Sequence, residues 1–399
     1  VLVGALDDPT TYQNARVHQA ALVVATQNDQ INTNIAFTVR EIAPETLIIS
    51  SANTPAAVDI LQIAGSDHVV QLGDVLGTAM AARALGLGGQ SHQIGDFAGL
   101  RIAEAGVSGT DIVNRSLQEA QLRKRFGVGI IGVWDRGDFA VATGETVLCD
   151  SSILLLAGTE EQLTSFDEEF AVDSPTATKA IIIGGGRVGR AAARALSDDG
   201  VDVTIIDRLP ERKRSHPRYV IGDAANRAIL DEAGIADAGA ILITTHDDSV
   251  NVYLTRYCRG LRPDARIVSR SNLGRNVTTL YRAGADAVLS YAGTGSSTIW
   301  NHFRGDETLL VAQGLNIFRT PVPGELAGSS LAESHVYRRT NCNVVAIEQN
   351  GVLRGNPDAQ QPLPADGELL LVGTDAAEEK FSRVFPHARR RPIRTRLRR

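Results

Sequence analysis

The sequence is poor in cysteine and aromatic residues, and it has no long apolar run. Three widely separated cysteines (Cys149, Cys258 and Cys342) among 399 residues exclude a disulfide framework or a paired-cysteine metal site. They favour buried or incidental thiols in a reducing compartment. The aromatic content of 5% is low for an aromatic-rich β-sandwich. No run approaches the ~18 apolar residues that a membrane helix needs, and the first residues carry no signal-peptide pattern.

Positive charge is also scarce, except at the end of the chain. The formal net charge is −6, but residues 389–399 contain seven arginines, so the rest of the chain carries −13. An acidic body argues against a nucleic-acid partner. The arginine-rich tail could bind acidic lipid headgroups, although we favour a solvated chain end.

What the sequence does contain is an internal repeat. Residues 20–69 align without a gap with residues 239–288, at an offset of 219, and 15 of the 50 positions are identical. The similarity resumes further on, where 116–133 matches 330–347 and 155–159 matches 370–374. The sequence therefore predicts two copies of a large unit, each made of an N-lobe and a C-lobe.

In the second copy, six short apolar runs alternate with helical segments. This pattern predicts a parallel, doubly wound α/β sheet of the Rossmann type. The shorter, alternating runs that follow predict a small α+β C-lobe. We expect two Rossmann-like lobes, each followed by such a C-lobe, with these limits: first N-lobe 1–90, first C-lobe 91–172, second N-lobe 173–305, second C-lobe 306–386 and arginine-rich tail 387–399.

The first copy lacks the start of its Rossmann lobe. Val1 aligns near Tyr219, so the counterpart of about 177–218 (strand, glycine loop, helix, strand) is missing. A sheet that starts at its third strand would leave a bare internal edge. We therefore expect more chain upstream of Val1, or a segment that is not represented.

The clearest functional motif is a glycine loop at 184–189, GGGRVG, between a predicted strand and a predicted helix. In such a loop Gly184 permits the tight turn, Gly186 lets a pyrophosphate approach the backbone, and Gly189 lets helix and strand pack closely. The helix that starts at Arg187 and Val188 would offer free amides to phosphates. Arg187 could reach those phosphates or be solvated.

An acidic residue, Asp207, follows Gly186 by about 20 residues at the end of the next strand. A carboxylate there accepts hydrogen bonds from ribose hydroxyls and repels a 2′-phosphate. The motif therefore predicts NAD, ADP or ATP rather than NADP, a preference that Arg208 weakens slightly.

Further polar residues follow the other strands at the edge where doubly wound sheets bind ligands. Asp223, before Ala224, could contact adenosine or cap the next helix, and both readings stay open. Thr245, His246 and Arg270 lie at the same edge. His246 beside two aspartates could bind a divalent ion, but we favour a polar loop with a helix cap because neighbouring side chains diverge.

The first copy departs from this pattern, since Asn28 replaces Asp247 and Ser51 replaces Arg270. Its site is either degenerate or specific for a different ligand.

Taken in order, these residues resemble RCK domains (also called KTN, or TrkA-N and TrkA-C), which regulate potassium channels and transporters. The resemblance rests on GGGRVG at 184–189, Asp207, GDA at 222–224, the run 245–251 and AGAD at 283–286, and on 330–347 with GELLLVGT. Carried over residue by residue, it implies a nucleotide site formed by Gly184, Gly186, Arg187, Gly189, Asp207, Asp223 and Arg270.

The resemblance also implies a function. RCK units assemble into rings under a membrane pore, and nucleotides or divalent cations change the shape of the ring. We expect the gating-ring region of a potassium channel at the cytoplasmic face of the cell membrane. It would bind NAD or ADP/ATP, with calcium as a further candidate ligand. The partners would be a second copy of the chain, a tetrameric channel with a ring of eight RCK units, and a pore module upstream.

Two alternatives remain. The nearer one is the soluble regulatory subunit of a Trk-type potassium transporter, with the transporter as a separate chain. The remote one is an NAD-dependent oxidoreductase, which would need a proton-transfer residue facing the nicotinamide. His246 is the only histidine at the expected sheet edge, so we expect no enzyme.

Overall fold

A computed structural model describes residues 1–85, 91–97, 100–135, 138–170, 178–213, 218–304, 308–312, 315–350, 352–355 and 357–386. The strands are β1 (Leu22–Ala25), β2 (Leu47–Ser51), β3 (His68–Val70), β4 (Ser91–Phe97), β5 (Leu100–Gly106), β6 (Gly129–Asp135), β7 (Asp138–Val141), β8 (Ser152–Gly158), β9 (Lys179–Ile183), β10 (Asp202–Asp207), β11 (Arg218–Ile221), β12 (Ala240–Ile243), β13 (Arg266–Ser271), β14 (Ala287–Ser290), β15 (Thr308–Ala312), β16 (Leu315–Pro321), β17 (Asn343–Gln349), β18 (Val352–Gly355) and β19 (Glu368–Thr374).

The helices are α1 (Pro9–Asn14), α2 (Asp29–Ile42), α3 (Ala56–Ile63), α4 (Leu72–Ala84), α5 (Leu117–Ala120), α6 (Leu122–Phe126), α7 (Glu160–Phe170), α8 (Arg187–Asp198), α9 (Arg227–Glu232), α10 (Asp248–Leu261), α11 (Val277–Ala283), α12 (Tyr291–Arg304), α13 (Leu331–Ser334), α14 (Val336–Thr340) and α15 (Asp375–Val384). The chain forms two compact units. The first contains Val1–Leu85 and Ala177–Phe303, and the second contains Gly86–Thr176 and Arg304–Arg399.

The second N-lobe has the predicted Rossmann sheet. Its six strands are parallel and lie in the order β11-β10-β9-β12-β13-β14. Successive residues of a strand point to opposite faces, and both faces of this sheet are covered. Along β9, Ile182 packs into the core on one face, while Ile181 and Ile183 pack into the core on the other.

The first N-lobe has a three-stranded parallel sheet in the order β1-β2-β3. At the offset of 219 these strands correspond to β12, β13 and β14. Val1 and Leu2, which align with the last two residues of β11, form no strand. Within the described residues, this sheet therefore begins at the counterpart of the fourth strand, whereas the sequence comparison had suggested the third.

The two N-lobes of the first unit exchange a helix. Helix α4 follows the first sheet but packs in the core of the second sheet, where Leu76 and Met80 contact the cluster around Ile182 and Val188. Its counterpart α12 follows the second sheet, and its Ile299 packs against the first. Each N-lobe thus contributes a helix to the core of the other.

Close contact between α4 and α8 depends on small residues. A Cβ atom added at Gly77 would lie 2.5 Å from the Cβ atom of Ala191 and 2.6 Å from the carbonyl oxygen of Val188. At the rim of this contact, Arg194 donates to Asp74 over 2.5 Å. Glycine at 77 is therefore what lets the two helices approach.

In the second unit, the two C-lobes repeat one design. Their antiparallel sheets have matching strand orders, β4-β5-β8-β6-β7 and β15-β16-β19-β17-β18. Each has a short helix that begins with a capping box, Ser116 with Glu119 in one lobe and Ser330 with Glu333 in the other. The lobes share an apolar cluster that includes Ile102 and Val372.

The sheets of the chain lie one in each of the four predicted lobes. The lobe limits themselves stay a prediction. The arginine-rich tail 387–399 lies outside the described residues. Within the described ranges, no helix combines the length and the apolar character that crossing a membrane requires.

Candidate functional site

A cavity of about 370 Å³ lies at the carboxyl edge of the second Rossmann sheet. This volume falls within the usual range of small-molecule sites. The residues around it come from the ends of β9, β10, β11, β12 and β13 and the loops that follow them, from the starts of α8 and α12, and from α10. They are Ile183, Gly184, Gly186, Arg187, Val188, Ile206, Asp207, Arg208, Leu209, Arg212, Gly222, Asp223, Ala224, Thr244, Thr245, His246, Asp247, Val250, Leu254, Arg270 and Tyr291.

The structure thus brings together all but one of the residues that the sequence predicted for the nucleotide site. The exception is Gly189, which lies beneath the loop. A Cβ atom at Gly189 would come within 1.9 Å of the carbonyl oxygen of Gly184. This residue permits close packing of helix and strand, as its place in the motif indicated.

The glycine loop turns sharply between β9 and α8. Gly184 has a φ of +110°, a backbone conformation that residues with a side chain rarely adopt. Thr244 fixes the turn from the end of β12, since its Oγ1 donates to the carbonyl oxygen of Gly184 over 2.8 Å. The sequence did not indicate this role for Thr244.

Gly186 is the N-cap residue of α8, and no side chain caps the helix. A Cβ atom at Gly186 would meet only the Nε2 atom of His246, at 4.0 Å. The protein itself therefore leaves open space at Gly186. The first amides of α8, which lack partners within the helix, carry a partial positive charge at this point.

Asp207 is buried at the end of β10, with 6% of its surface exposed. Its Oδ2 accepts from the Gly185 amide at 2.6 Å and from Arg212 at 3.0 Å, and its Oδ1 accepts from the Leu209 amide at 2.8 Å. Asp207 therefore holds the glycine loop as well as facing the cavity. Arg212 belongs to no motif, so sequence analysis missed it.

Asp223 forms an ion pair with Arg208 over 2.7 Å and accepts from the Ala225 amide over 2.9 Å. The Ala225 amide and then Arg208 hold the pKa of Asp223 below its usual range. The N-cap residue of α9 is Asn226. The reading of Asp223 as the helix cap is therefore wrong, and the carboxylate lies at the cavity.

Thr245, His246 and Asp247 form the polar loop after β12. Asp247 caps α10 by accepting from the amides of Ser249 and Val250. Burial, followed by the charges of nearby arginines, lowers the pKa of His246. Among the described residues, no three histidine, cysteine, aspartate or glutamate side chains cluster as metal ligands would.

Positive charge dominates one end of the cavity. Arg208 and Arg212 are paired with Asp223 and Asp207. In the part of the chain that the structure describes, Arg187 and Arg270 form no ion pair. Arg270 lies at the end of β13 with 3% of its surface exposed. Two unpaired guanidinium groups and the start of α8 therefore favour an anionic ligand group here.

Comparisons with known proteins show which family the chain resembles. The TrkA-N domain model matches residues 1–72 and 180–291, and the TrkA-C domain model matches residues 104–171. A Trk system potassium uptake protein TrkA from Mycobacterium tuberculosis is 27% identical over 222 residues, which cover 52% of this chain and 98% of that protein. Potassium channel protein 1 from Methanocaldococcus jannaschii is 24% identical over 217 residues, covering 51% and 65%.

Solved structures of GsuK match most of the chain. The crystal structure of the GsuK RCK domain is 36% identical, with a TM-score of 0.71, covering 97% of this chain and 85% of that one. The GsuK channel bound to NAD is 35% identical with the same TM-score, covering 97% and 70%. GsuK bound to ADP is 26% identical with a TM-score of 0.51, covering 77% and 58%. The chain therefore belongs to the RCK family of proteins with TrkA-N and TrkA-C domains.

Proposed function

We propose that this chain is the ligand-sensing region of a potassium channel and that its second N-lobe binds an adenine nucleotide. The observation that carries the proposal is the cavity at the glycine loop, with open space at Gly186, a buried Asp207 and unpaired Arg187 and Arg270. Solved structures of GsuK bound to NAD and to ADP support the choice of ligand.

Each part of the cavity suits one part of such a ligand. Asp207 would accept hydrogen bonds from the ribose hydroxyls. The amides at the start of α8, together with Arg187 and Arg270, would bind the phosphates. The carboxylate of Asp207 would repel a 2′-phosphate, so NAD, ADP and ATP should bind more tightly than NADP.

Binding rather than catalysis fits the residues around the cavity. His246 is the only histidine among them, and it borders the open space at Gly186, where we place the phosphates. The proposed role is regulatory. A nucleotide that binds one conformation of the ring tenfold more tightly supplies about 1.4 kcal/mol per site. Four such sites would supply roughly 5–6 kcal/mol, enough to reverse a two-state gate.

For partners, we propose that two chains form a dimer and that dimers assemble into a ring of eight RCK units at the cytoplasmic face of the membrane, below a potassium pore. The match to GsuK along 97% of the chain favours a channel. The match to TrkA supports the second candidate, a regulatory subunit of a Trk-type transporter. Calcium remains a candidate second ligand.

The test is calorimetric titration of the chain and its Gly186→Ala variant with NAD, ADP, ATP, NADP and calcium. The new methyl group fits the unliganded protein but would occupy the space at which a phosphate approaches. Its cost to folding should be about 1 kcal/mol or less, as for a lost helix cap.

A matched control is Gly260→Ala, because Gly260 is in α10 of the same unit and a Cβ atom there meets nothing within 4 Å. We expect Gly260→Ala to bind like the native chain and Gly186→Ala to lose nucleotide binding while staying folded. Unchanged nucleotide binding by Gly186→Ala would show that phosphates do not lie at the glycine loop.

A further inference from the structure

Arg270 is a buried charge whose hydrogen-bonding capacity is only partly used. Its Nη2 donates to Oδ1 of Asn272 over 2.6 Å, while its Nε finds no hydrogen-bond partner within the described residues. A buried donor without a partner is costly, and a guanidinium group stays charged in proteins. The Nε–H group of Arg270 can therefore donate to an acceptor on a bound ligand.

The aromatic ring of Tyr291 holds this guanidinium group. The Cζ atom of Arg270 lies 4.4 Å from the ring centroid, within the range of a cation–π interaction. Both side chains line the cavity. A ring beneath the face of a guanidinium group leaves the N–H bonds at its edge free to donate.

Tyr291 also connects the cavity to the first N-lobe. It is the first residue of α12, the helix that packs against the first sheet. Its ring contacts the core of the second sheet and also the cluster formed by Ile49, Val70 and Leu72 of the first copy. One ring thus touches the arginine of the cavity and the other N-lobe.

The first copy has neither member of this pair. At the offset of 219, Arg270 corresponds to Ser51, and Tyr291 corresponds to Leu72. The arginine–tyrosine pair is therefore present in the copy that has the glycine loop and the cavity.

We propose that Tyr291 is a positioning residue that orients Arg270 toward the phosphate of the nucleotide and transmits occupancy of the cavity to the first N-lobe. The proposal rests on nucleotide binding at this cavity, as proposed above. A phosphate that accepts from the edge of the guanidinium group fixes Arg270 on the ring. Tyr291 then fixes the start of α12 against β2 and β3.

The test compares two ligands that differ only in phosphate, ADP and adenosine, in three proteins: the native chain, Tyr291→Leu and Tyr291→Phe. Leucine is the residue of the first copy at the equivalent position, so the core of the variant should stay packed. Loss of the ring should weaken ADP binding by about 3- to 30-fold, as expected for loss of a desolvated cation–π contact. Adenosine binding should change less than about twofold, since adenosine has no phosphate for Arg270 to contact. Tyr291→Phe, which keeps the aromatic ring, should bind ADP as tightly as the native chain does.

A second measurement tests whether occupancy of the cavity affects the first N-lobe. Hydrogen exchange of β2 and β3 should slow when ADP binds the native chain and Tyr291→Phe, but not when it binds Tyr291→Leu at saturation. An equal loss of ADP and adenosine binding in Tyr291→Leu would mean that Tyr291 only supports the fold, and no loss of either would mean that it does not position Arg270. If the native chain binds neither ligand, the proposed nucleotide function itself fails, and this inference falls with it.

Discussion

The helix exchange between the N-lobes predicts an unusual response to a glycine-to-alanine substitution. In an open helical position this change stabilises a protein by about 0.4–1 kcal/mol, because alanine restricts the unfolded chain. Gly77, in the middle of α4, is not open. A Cβ atom there would lie 2.5 Å from Ala191 and 2.6 Å from the backbone oxygen of Val188, whereas unstrained carbon contacts lie near 3.5–4.0 Å.

For Gly77→Ala to fold, α4 and α8 would have to separate by about 1 Å, the shortfall from a normal contact distance. Overpacking of this kind costs about 1–3 kcal/mol. We therefore expect Gly77→Ala to lower the free energy of unfolding by about 1–2 kcal/mol after the propensity gain is subtracted. Gly260→Ala, the open control in α10, should raise it.

Urea denaturation followed by far-ultraviolet circular dichroism measures both variants against the native chain. The difference between them should be about 1.5–3 kcal/mol. If Gly77→Ala stabilised the protein as much as Gly260→Ala, α4 would not pack against α8 as described, and the exchange of helices between the N-lobes would be refuted.

Three further predictions concern single side chains. Arg259 donates from Nη2 to the carboxylate of Asp286 and from Nε and Nη1 to backbone carbonyl oxygens. Because lysine cannot replace all of these hydrogen bonds, Arg259→Lys should lower the free energy of unfolding by about 2–4 kcal/mol in urea denaturation. His246 has a lowered pKa, mainly because of burial, and a bound phosphate should raise it; ADP binding should therefore take up a proton and strengthen as the pH is lowered, measured by calorimetry in buffers of different ionisation enthalpy. Cys149 is exposed, whereas burial raises the pKa of Cys258 to about 12 and that of Cys342 to about 11; mass spectrometry should find one alkylated thiol in the folded protein at pH 8 and three after unfolding.

The sign of the His246 effect on folding follows from the same shift. Because the unfolded chain binds this proton more readily than the folded one, the contribution of His246 to stability is complete above its unfolded pKa of ~6.5 and is lost as the pH falls through the lower pKa of the folded state. ADP binding that weakens on acidification, or takes up no proton, would contradict the position of His246 beside a phosphate. Unchanged stability of Arg259→Lys, or rapid alkylation of Cys258 in the folded protein, would contradict the contacts of those side chains.

The second N-lobe could be predicted closely from the sequence because local and long-range signals agree there. Its apolar runs are strands that are buried on both faces, and a strand–loop–helix motif with glycines at fixed spacing has few other uses. The strands therefore lie where the hydrophobic pattern predicts them. The cavity residues lie at the carboxyl ends of these strands, where doubly wound sheets bind ligands. Asp207, Asp223 and Arg270 converge at this edge because each follows a strand of the same sheet.

Other features depend on contacts between segments that are distant in sequence. The sequence of α4 does not indicate that this helix packs on α8 of the other copy. The role of Gly77 depends on its contact with Ala191, which only the structure shows. Tyr291 is the first residue of α12, and it belongs to none of the motifs that the sequence offered. Asp223 could have capped α9, but Asn226 is better placed and leaves the carboxylate for Arg208.

The central claim is that one nucleotide site exists per chain, at the glycine loop of the second N-lobe. The most direct measurement is the stoichiometry of ADP binding by calorimetry, with the native chain and Gly186→Ala side by side. We predict one ADP per native chain and none per Gly186→Ala chain. No saturable binding, two sites per chain, or binding that survives in Gly186→Ala would contradict the account.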